Sequence, residues 1–160
     1  MADDAANRDR IASWLRSQGH DVTVVAHNDR HASVCFKARG ALFTVHVDEE
    51  DRALLSITHG WRAPFAPRAR TDAMTLALEV QRRIPVVKVD LDWKDGYVRF
   101  AAEQLVVNAS FEGIFWRCVD LLSQAAQMFF ETLGDTAPEE AARSFIEELE
   151  RTLGRTSGER

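Results

Sequence analysis

Apolar positions recur along this chain with two different spacings, and the switches between them mark out its elements. Ile11, Trp14 and Leu15 form a narrow stripe of helical period, with arginines facing away. Asp3 or Asp4 can cap that first helix, which runs to about Gln18 with Gly19 as the residue beyond its end. From Asp21 the period becomes two. Val22, Val24 and Ala26 alternate with polar partners, Asn28-Asp29-Arg30 turns the chain, and Val34, Phe36 and Ala38 follow on one face. Arg39-Gly40 turns it again before Phe43, Val45 and Val47; an acidic tip, Asp48-Glu49-Glu50-Asp51, then leads into Ala53, Leu55 and Ile57.

Loop lengths predict the pairing. A three-residue loop at 28–30 sets Val24 against Val34, and a two-residue loop at 39–40 sets Phe36 against Phe43 and Val34 against Val45. A three-residue loop at 49–51 would set Val45 against Leu55 and Asp48 against Arg52. The result is an antiparallel meander with one buried face. Its other face is semi-polar: Thr23, Ser33, Cys35, Thr44, His46 and Ser56, with Val25 and Leu54 among them.

Gly60 to Arg70 breaks the alternation, and Pro64 and Pro67 favour an extended linker that Trp61 and Phe65 would pin to the body. Thr71 can cap a second helix over 72–84, stopped by Pro85, whose apolar side is Met74, Ala77, Leu78, Val80 and Ile84. Residues 86–106 read as a hairpin around Asp95-Gly96, the dipeptide a type I′ turn favours. That loop would pair Trp93 with Val98, Leu91 with Phe100 and Val89 with Ala102, and place Asp92 by Arg99 and Lys88 by Glu103.

Asn108 or Ser110 can cap a third helix from Phe111 to Leu133, the most apolar element. Ile114, Cys118, Leu121, Leu122, Ala125, Met128 and Phe129 cover the arc expected to pack on a sheet. Phe115, Val119, Ala126, Phe130 and Leu133 widen it to roughly 200°, more than one contact needs, with Trp116 just past its edge. After Gly134-Asp135 a fourth helix, 137–153, presents Ala142, Phe145, Ile146, Leu149 and Leu153 as one stripe. Residues 154–160 read as a disordered tail. There is no internal repeat and no second domain.

At 160 residues the chain can bury a real core, and its net charge of −5, without a basic stripe, argues against nucleic acid. No stretch approaches the roughly 18 apolar residues of a membrane span, and the N-terminus lacks a signal-peptide core, so a cytoplasmic protein without membrane insertion is expected. Cys35 and Cys118 are expected to be reduced thiols.

Few side chains suggest chemistry. His27 and His31 flank the first turn and, with Asp29, could hold a metal weakly, but without a fourth ligand or a second shell they read as turn residues in solvent. Cys35 and His46 share a strand face and could form a thiol–imidazole pair, yet the predicted neighbours of Cys35 are Thr23 and Thr44, with His46 only diagonal. His59 is expected at a strand end as a local hydrogen-bonder, and His20 as an ordinary residue after a helix end. The run 48–51 lacks the spacing and glycine of a calcium loop. Asp90 and Asp92 are neutralised by Arg99 and Lys88. No phosphate-binding, nucleophile-elbow or zinc-protease motif occurs, so no enzyme, cofactor or metal is expected.

The order is α-ββββ-α-ββ-α, an α+β fold with a curved antiparallel sheet of about six strands. Over residues 8–133 the chain resembles the YbjN family, whose domain has the fold of type III secretion chaperones. The resemblance lies in the segment FTVHVDEEDRALLSI, the helix AMTLALEVQRRIP, the hairpin VKVDLDWKDGYVRFAAEQLV and the helix containing FWRCVDLLSQAAQMFF. It implies a bacterial protein-binding module with a chaperone-like or regulatory role, frequently dimeric, and carries over no catalytic or ligand positions. The expected domain is 1–133, with 134–153 as an added amphipathic helix.

On the residues themselves, the surplus flank of Trp116, Val119 and Phe130 is the candidate contact for a second subunit or a client polypeptide. Helix four could instead cover that flank in cis. The rival function is a small thiol- or metal-dependent enzyme or sensor using Cys35 with His46, or His27 with His31.

Overall fold

The computed structural model describes residues 3–26, 32–47, 54–62, 70–92, 94, 97–105 and 111–133. Helix α1 (Asp3–Ser17) precedes strands β1 (Val22–Ala26), β2 (Ala32–Ala38), β3 (Ala41–Val47) and β4 (Leu54–Arg62). Helix α2 (Arg70–Arg83), strands β5 (Val87–Asp92) and β6 (Tyr97–Leu105), and helix α3 (Phe111–Leu133) complete the order. The six strands form one sheet in the order β1-β2-β3-β4-β6-β5, every neighbouring pair antiparallel.

Local chemistry explains most of the boundaries. Helix α1 ends in a Schellman motif: His20 N–H donates to the Leu15 carbonyl and Gly19 N–H to that of Arg16, with Gly19 at φ 85°. Arg39 and Gly40, at φ 52° and 73°, make the tight turn between β2 and β3. The expected registers of β1–β2 and β2–β3 both hold: Val24 faces Val34, Val34 faces Val45, and Phe36 faces Phe43.

Two other registers are each displaced by two residues from expectation. Val45 faces Ile57 rather than Leu55, so the connection through the acidic tip is longer than three residues. In the β5–β6 hairpin Leu91 faces Val98, Val89 faces Phe100 and Asp92 faces Tyr97, which leaves four residues between the strands instead of the two-residue Asp95-Gly96 loop. Lys94 N–H donates to Asp92 Oδ1 at 2.9 Å, a local side-chain turn that competes with the tight one. A shift of two preserves which face each side chain occupies, so the apolar pattern survives both corrections. Asp90, not Asp92, pairs with Arg99 (2.6 Å), while Lys88 reaches Glu103 (2.7 Å) diagonally.

The expected break at Gly60 is also displaced. Strand β4 runs on to Arg62 because β6 is nine residues long and supplies partners at Arg99, Val98 and Tyr97 for Gly60, Trp61 and Arg62. The prolines lie beyond, outside the described residues.

One face of the sheet carries the core: Val34, Phe36, Phe43, Val45, Leu55, Ile57, Val98, Phe100 and Ala102 are buried on it. Helix α1 packs over β1–β3 and α3 over β4–β6, joined where Trp14 meets Phe115 edge-on at 5.1 Å. Helix α2 lies on β5 and α3, burying Ala73, Ala77 and Val80, with Ile84 buried just beyond its end. Its Gln81 side chain accepts the Val89 N–H (2.8 Å) and the Ile84 carbonyl accepts that of Val87 (2.9 Å), satisfying donors of strand β5 at the margin of the sheet.

Helix α3 has the expected bounds but a different rotation. Cys118, Leu122, Ala125 and Phe129 of the expected arc are buried, and so are Phe111, Phe115, Val119, Ala126 and Phe130 beside it, whereas Ile114 is 42% exposed and Leu121 and Met128 are half-buried. The phenylalanines carry the larger apolar area, so the helix turns their side inward and leaves the aliphatic side at the margin.

Candidate functional site

The face of the sheet away from α1 and α3 holds the polar residues expected to do any chemistry. One row across it reads Thr23, Cys35, Thr44, Thr58, Ala101, Lys88, and the next Val25, Ser33, His46, Ser56, Glu103. Cys35 and His46 therefore sit in different rows. Cys35 Sγ lies 3.7 Å from Thr44 Oγ1, and burial pushes its thiol pKa up, against what a nucleophile requires. His46 Nδ1 shares a hydrogen bond with Ser33 Oγ at 2.8 Å. Thr58 Oγ1 donates to the Thr44 carbonyl at 3.2 Å. These contacts tie strands together.

Among the described residues no group of three or more His, Cys, Asp and Glu side chains is placed to hold a metal. His27, Asp29, His31 and the acidic run 48–51 lie outside those residues. Burial also raises the Cys118 thiol. His20 Nδ1–H donates to the Lys37 carbonyl (3.0 Å) and its ring packs 4.9 Å from that of Trp116. It thus clasps α1, β2 and α3 together.

His59 corrects the sequence expectation. It is not at a strand end but inside β4, 2% exposed, in register with Phe43 on one side and Phe100 on the other. Its ring meets theirs edge-on at 4.9 and 6.2 Å. Desolvation holds its pKa down at about 3, so the imidazole is neutral in the folded protein. The signal was legible in the alternation Leu55, Ile57, His59, which runs past the expected strand end. Gln104, further along the same face of β6, is also buried, and its amide nitrogen and oxygen have no hydrogen-bond partner among the described residues.

The three residues expected to form a contact surface are separated by depth. Val119 is 0% and Phe130 2% exposed; both belong to the core that α3 shares with its neighbours. Trp116 is half-buried, its ring within 6.1 Å of those of Trp14, His20, Phe36 and Phe115. Among the described residues, the large apolar side chains that the helices leave in solvent are others: Met74 (49% exposed) and Leu78 (62%) on α2, and Ile114 on α3. Sequence reasoning placed all of these on inward stripes. Helical period finds a stripe's width, but it cannot say which edge meets solvent.

No protein-family model matches the chain, and no curated protein matches it in sequence. Solved structures do share its architecture. An uncharacterized protein from Methanothermobacter thermautotrophicus superposes with a TM-score of 0.62 at 11% identity, over 79% of this chain and 96% of that one. YbjN from E. coli, described as a candidate transcription regulator, gives 0.55 at 13% identity, over 77% of this chain and 88% of its own. A chain of the HopA1–SchA chaperone–effector complex gives 0.53 at 14% identity, over 79% and 94%. The described residues, three helices on a six-stranded antiparallel sheet in the order α-ββββ-α-ββ-α, have the YbjN-like, secretion-chaperone-like α+β fold.

Proposed function

We propose that this domain binds another polypeptide, in the manner of a chaperone and without covalent chemistry, as a cytoplasmic homodimer. The observation that carries the reading is the apolar surface left on α2. Met74 and Leu78 are four residues apart, on one side of the helix, and both are largely exposed. A lone exposed leucine needs no explanation, but an adjacent pair of large apolar side chains on one helix offers a contact. A structure titled as a chaperone–effector complex shares the fold, which supports the same direction.

The charges of α2 favour a second copy as one occupant. Asp72 lies in its first turn and Arg82 and Arg83 in its last. Two α2 helices packed antiparallel would bring their Met74 and Leu78 side chains together and set Asp72 near the partner's last turn, where Arg82 and Arg83 also pair with Glu79 of their own helix at 3.1 and 2.7 Å. Trp116 is the member of the expected trio that remains within a partner's reach. Val119 and Phe130 act from beneath, by fixing how α3 is presented.

The test compares full-length protein with the Met74→Glu/Leu78→Glu variant by sedimentation and by affinity capture of co-purifying polypeptide. Wild type is expected to sediment as a dimer and to retain one defined polypeptide in stoichiometric amount. The variant is expected to be monomeric, with its circular dichroism unchanged. Identical sedimentation and capture by the two proteins would remove α2 from the interaction.

A further inference from the structure

The pairing of β2 decides which backbone groups of β1 face out of the sheet. Arg39 and Gly40 close the β2–β3 hairpin as a two-residue turn at positive φ, so Ala38 and Ala41 exchange both of their backbone hydrogen bonds. The pattern alternates from there. Phe36 with Phe43 and Val34 with Val45 are hydrogen-bonded pairs, and Ser33, Cys35 and Lys37 direct their N–H and C=O groups toward β1. Opposite Cys35 and Ser33 stand Thr23 and Val25, which therefore bond to β2; Val22, Val24 and Ala26 point theirs outward. Two contacts agree with that phase. His20 Nδ1–H donates to the Lys37 carbonyl at 3.0 Å, and Arg16 Nη2 donates to the outward Val22 carbonyl at 3.3 Å.

This edge lacks the protection of the opposite one, where Gln81 and the Ile84 carbonyl take the donors of Val89 and Val87. Among the described residues no strand pairs with the outer side of β1. The strand reads VTVVA, without charge or proline, and it pairs with β2 residue for residue, without a bulge. Val24, at its centre, is 37% exposed although it shares the helix-covered face with Val34 and Val45.

We propose that the outer edge of β1 pairs antiparallel with β1 of a second copy, about a two-fold axis at Val24. The strand is complementary to itself in that register. Val24 meets its own equivalent, Val22 meets Ala26 and Thr23 meets Val25, so each outward N–H and C=O gains a reciprocal partner. Helix-side residues meet helix-side residues at every level, and the two exposed Val24 side chains cover each other. The Val22 carbonyl keeps a second lone pair beside the one Arg16 uses. A strand without charge brings no like charges together when it meets itself. Five residues a side is far below the roughly 20–30 of a standard stable interface, so the contact is weak and forms at high protein concentration. It lies at the opposite edge of the sheet from β5 and α2. On the dimer reading above, the two two-fold contacts do not close on each other, and α2 dimers join into open chains.

Hydrogen exchange on the unaltered full-length chain tests the pairing, read amide by amide at about 50 µM and about 1 mM protein. Thr23 and Val25, bonded to β2, are expected to exchange slowly at both concentrations, while Val24 and Ala26 slow by about threefold or more at the higher one. Rapid exchange of Val24 and Ala26 at both concentrations would overturn the proposal. So would slow exchange of both in Met74→Glu/Leu78→Glu protein that sediments as a monomer, because the edge would then be covered within one chain. Slowing found only in protein that retains a co-purified polypeptide would give the edge to that client instead.

Two proline variants check the phase. Val24→Pro removes an outward donor and leaves the β1–β2 ladder whole, whereas Val25→Pro removes a donor that β2 accepts. In the Met74→Glu/Leu78→Glu background, sedimentation at about 1 mM is expected to show self-association that Val24→Pro abolishes. Val25→Pro is expected to lower the denaturation midpoint, and Val24→Pro to move it much less. Association that survives Val24→Pro, or the reverse order of the two midpoints, would overturn the proposal. The background removes the apolar surface of α2, so the β1 contact can fail while the α2 reading stands, and the reverse.

Discussion

At the scale of single residues, His59 is the group whose environment departs furthest from water. The neutral imidazole is packed between Phe43 and Phe100 and must charge at a cost. Its pKa falls from 6.5 in the unfolded chain to about 3 in the fold. Between those values the unfolded state binds the extra proton. The stability this group contributes is therefore complete above about pH 6.5 and is lost as pH falls toward 3, by about 1.4 kcal/mol per pH unit. The His59→Phe variant keeps a ring of similar shape without the titration. Urea unfolding at pH 7.5, 5.5 and 4.5 is expected to show a shallower loss for the variant than for wild type. Parallel curves would mean that His59 charges as easily in the fold as in water. The sequence revealed the neighbours of Cys35 correctly, Thr44 from the two-residue turn at 39–40 and Thr23 from the spacing between β1 and β2. For His59 it carried two conflicting cues: the alternation Leu55, Ile57, His59 points into the core, while the glycine and prolines that follow imply a strand end that β6 overrides.

At the scale of elements, turns were legible where backbone conformation leaves one answer. Arg39-Gly40 admits only a left-handed turn, and the strands around it pair as expected. Asp95-Gly96 carries the same cue, yet Asp92 captures the Lys94 N–H and the ladder closes two residues earlier. Two glycines separate backbone freedom from side-chain room. A methyl group added at Gly40 or at Gly113 meets nothing within 4 Å, but Gly40 sits at φ 73° while Gly113 lies in the first turns of α3. Gly40→Ala is expected to cost about 1 kcal/mol by strain alone. Gly113→Ala should instead stabilise by about 0.5–1 kcal/mol through helix propensity. Denaturant midpoints of the two variants should move in opposite directions. A shift of the same sign in both would show that sterics outside the backbone decide.

At the scale of the molecule, the element order and the fold class were readable because each rests on local periodicity. The placement of β4 beside β6 was not, because a pairing between strands separated by a helix and a further strand leaves no mark in either strand's own pattern. The rotation of α3 was hidden for a related reason: its apolar arc is wider than its buried arc, and only the rest of the core selects the part used. Phe100 shows how the layers are joined once that selection is made. It lies in β6 with its ring 5.8 and 6.2 Å from those of Phe129 and Phe130 on α3, and 6.2 Å from that of His59 on β4. Removing it opens a cavity where sheet and helix meet, so Phe100→Ala is expected to cost about 3–5 kcal/mol, on the scale of a small domain's whole stability. Met74→Glu/Leu78→Glu changes apolar area that is already in water, so the monomer's unfolding free energy should move by less than about 1 kcal/mol. Chemical denaturation at a protein concentration low enough to keep both variants monomeric separates the two effects. If the α2 pair proved as costly as Phe100, those side chains would be core, and the case for a binding surface on α2 would fail with them.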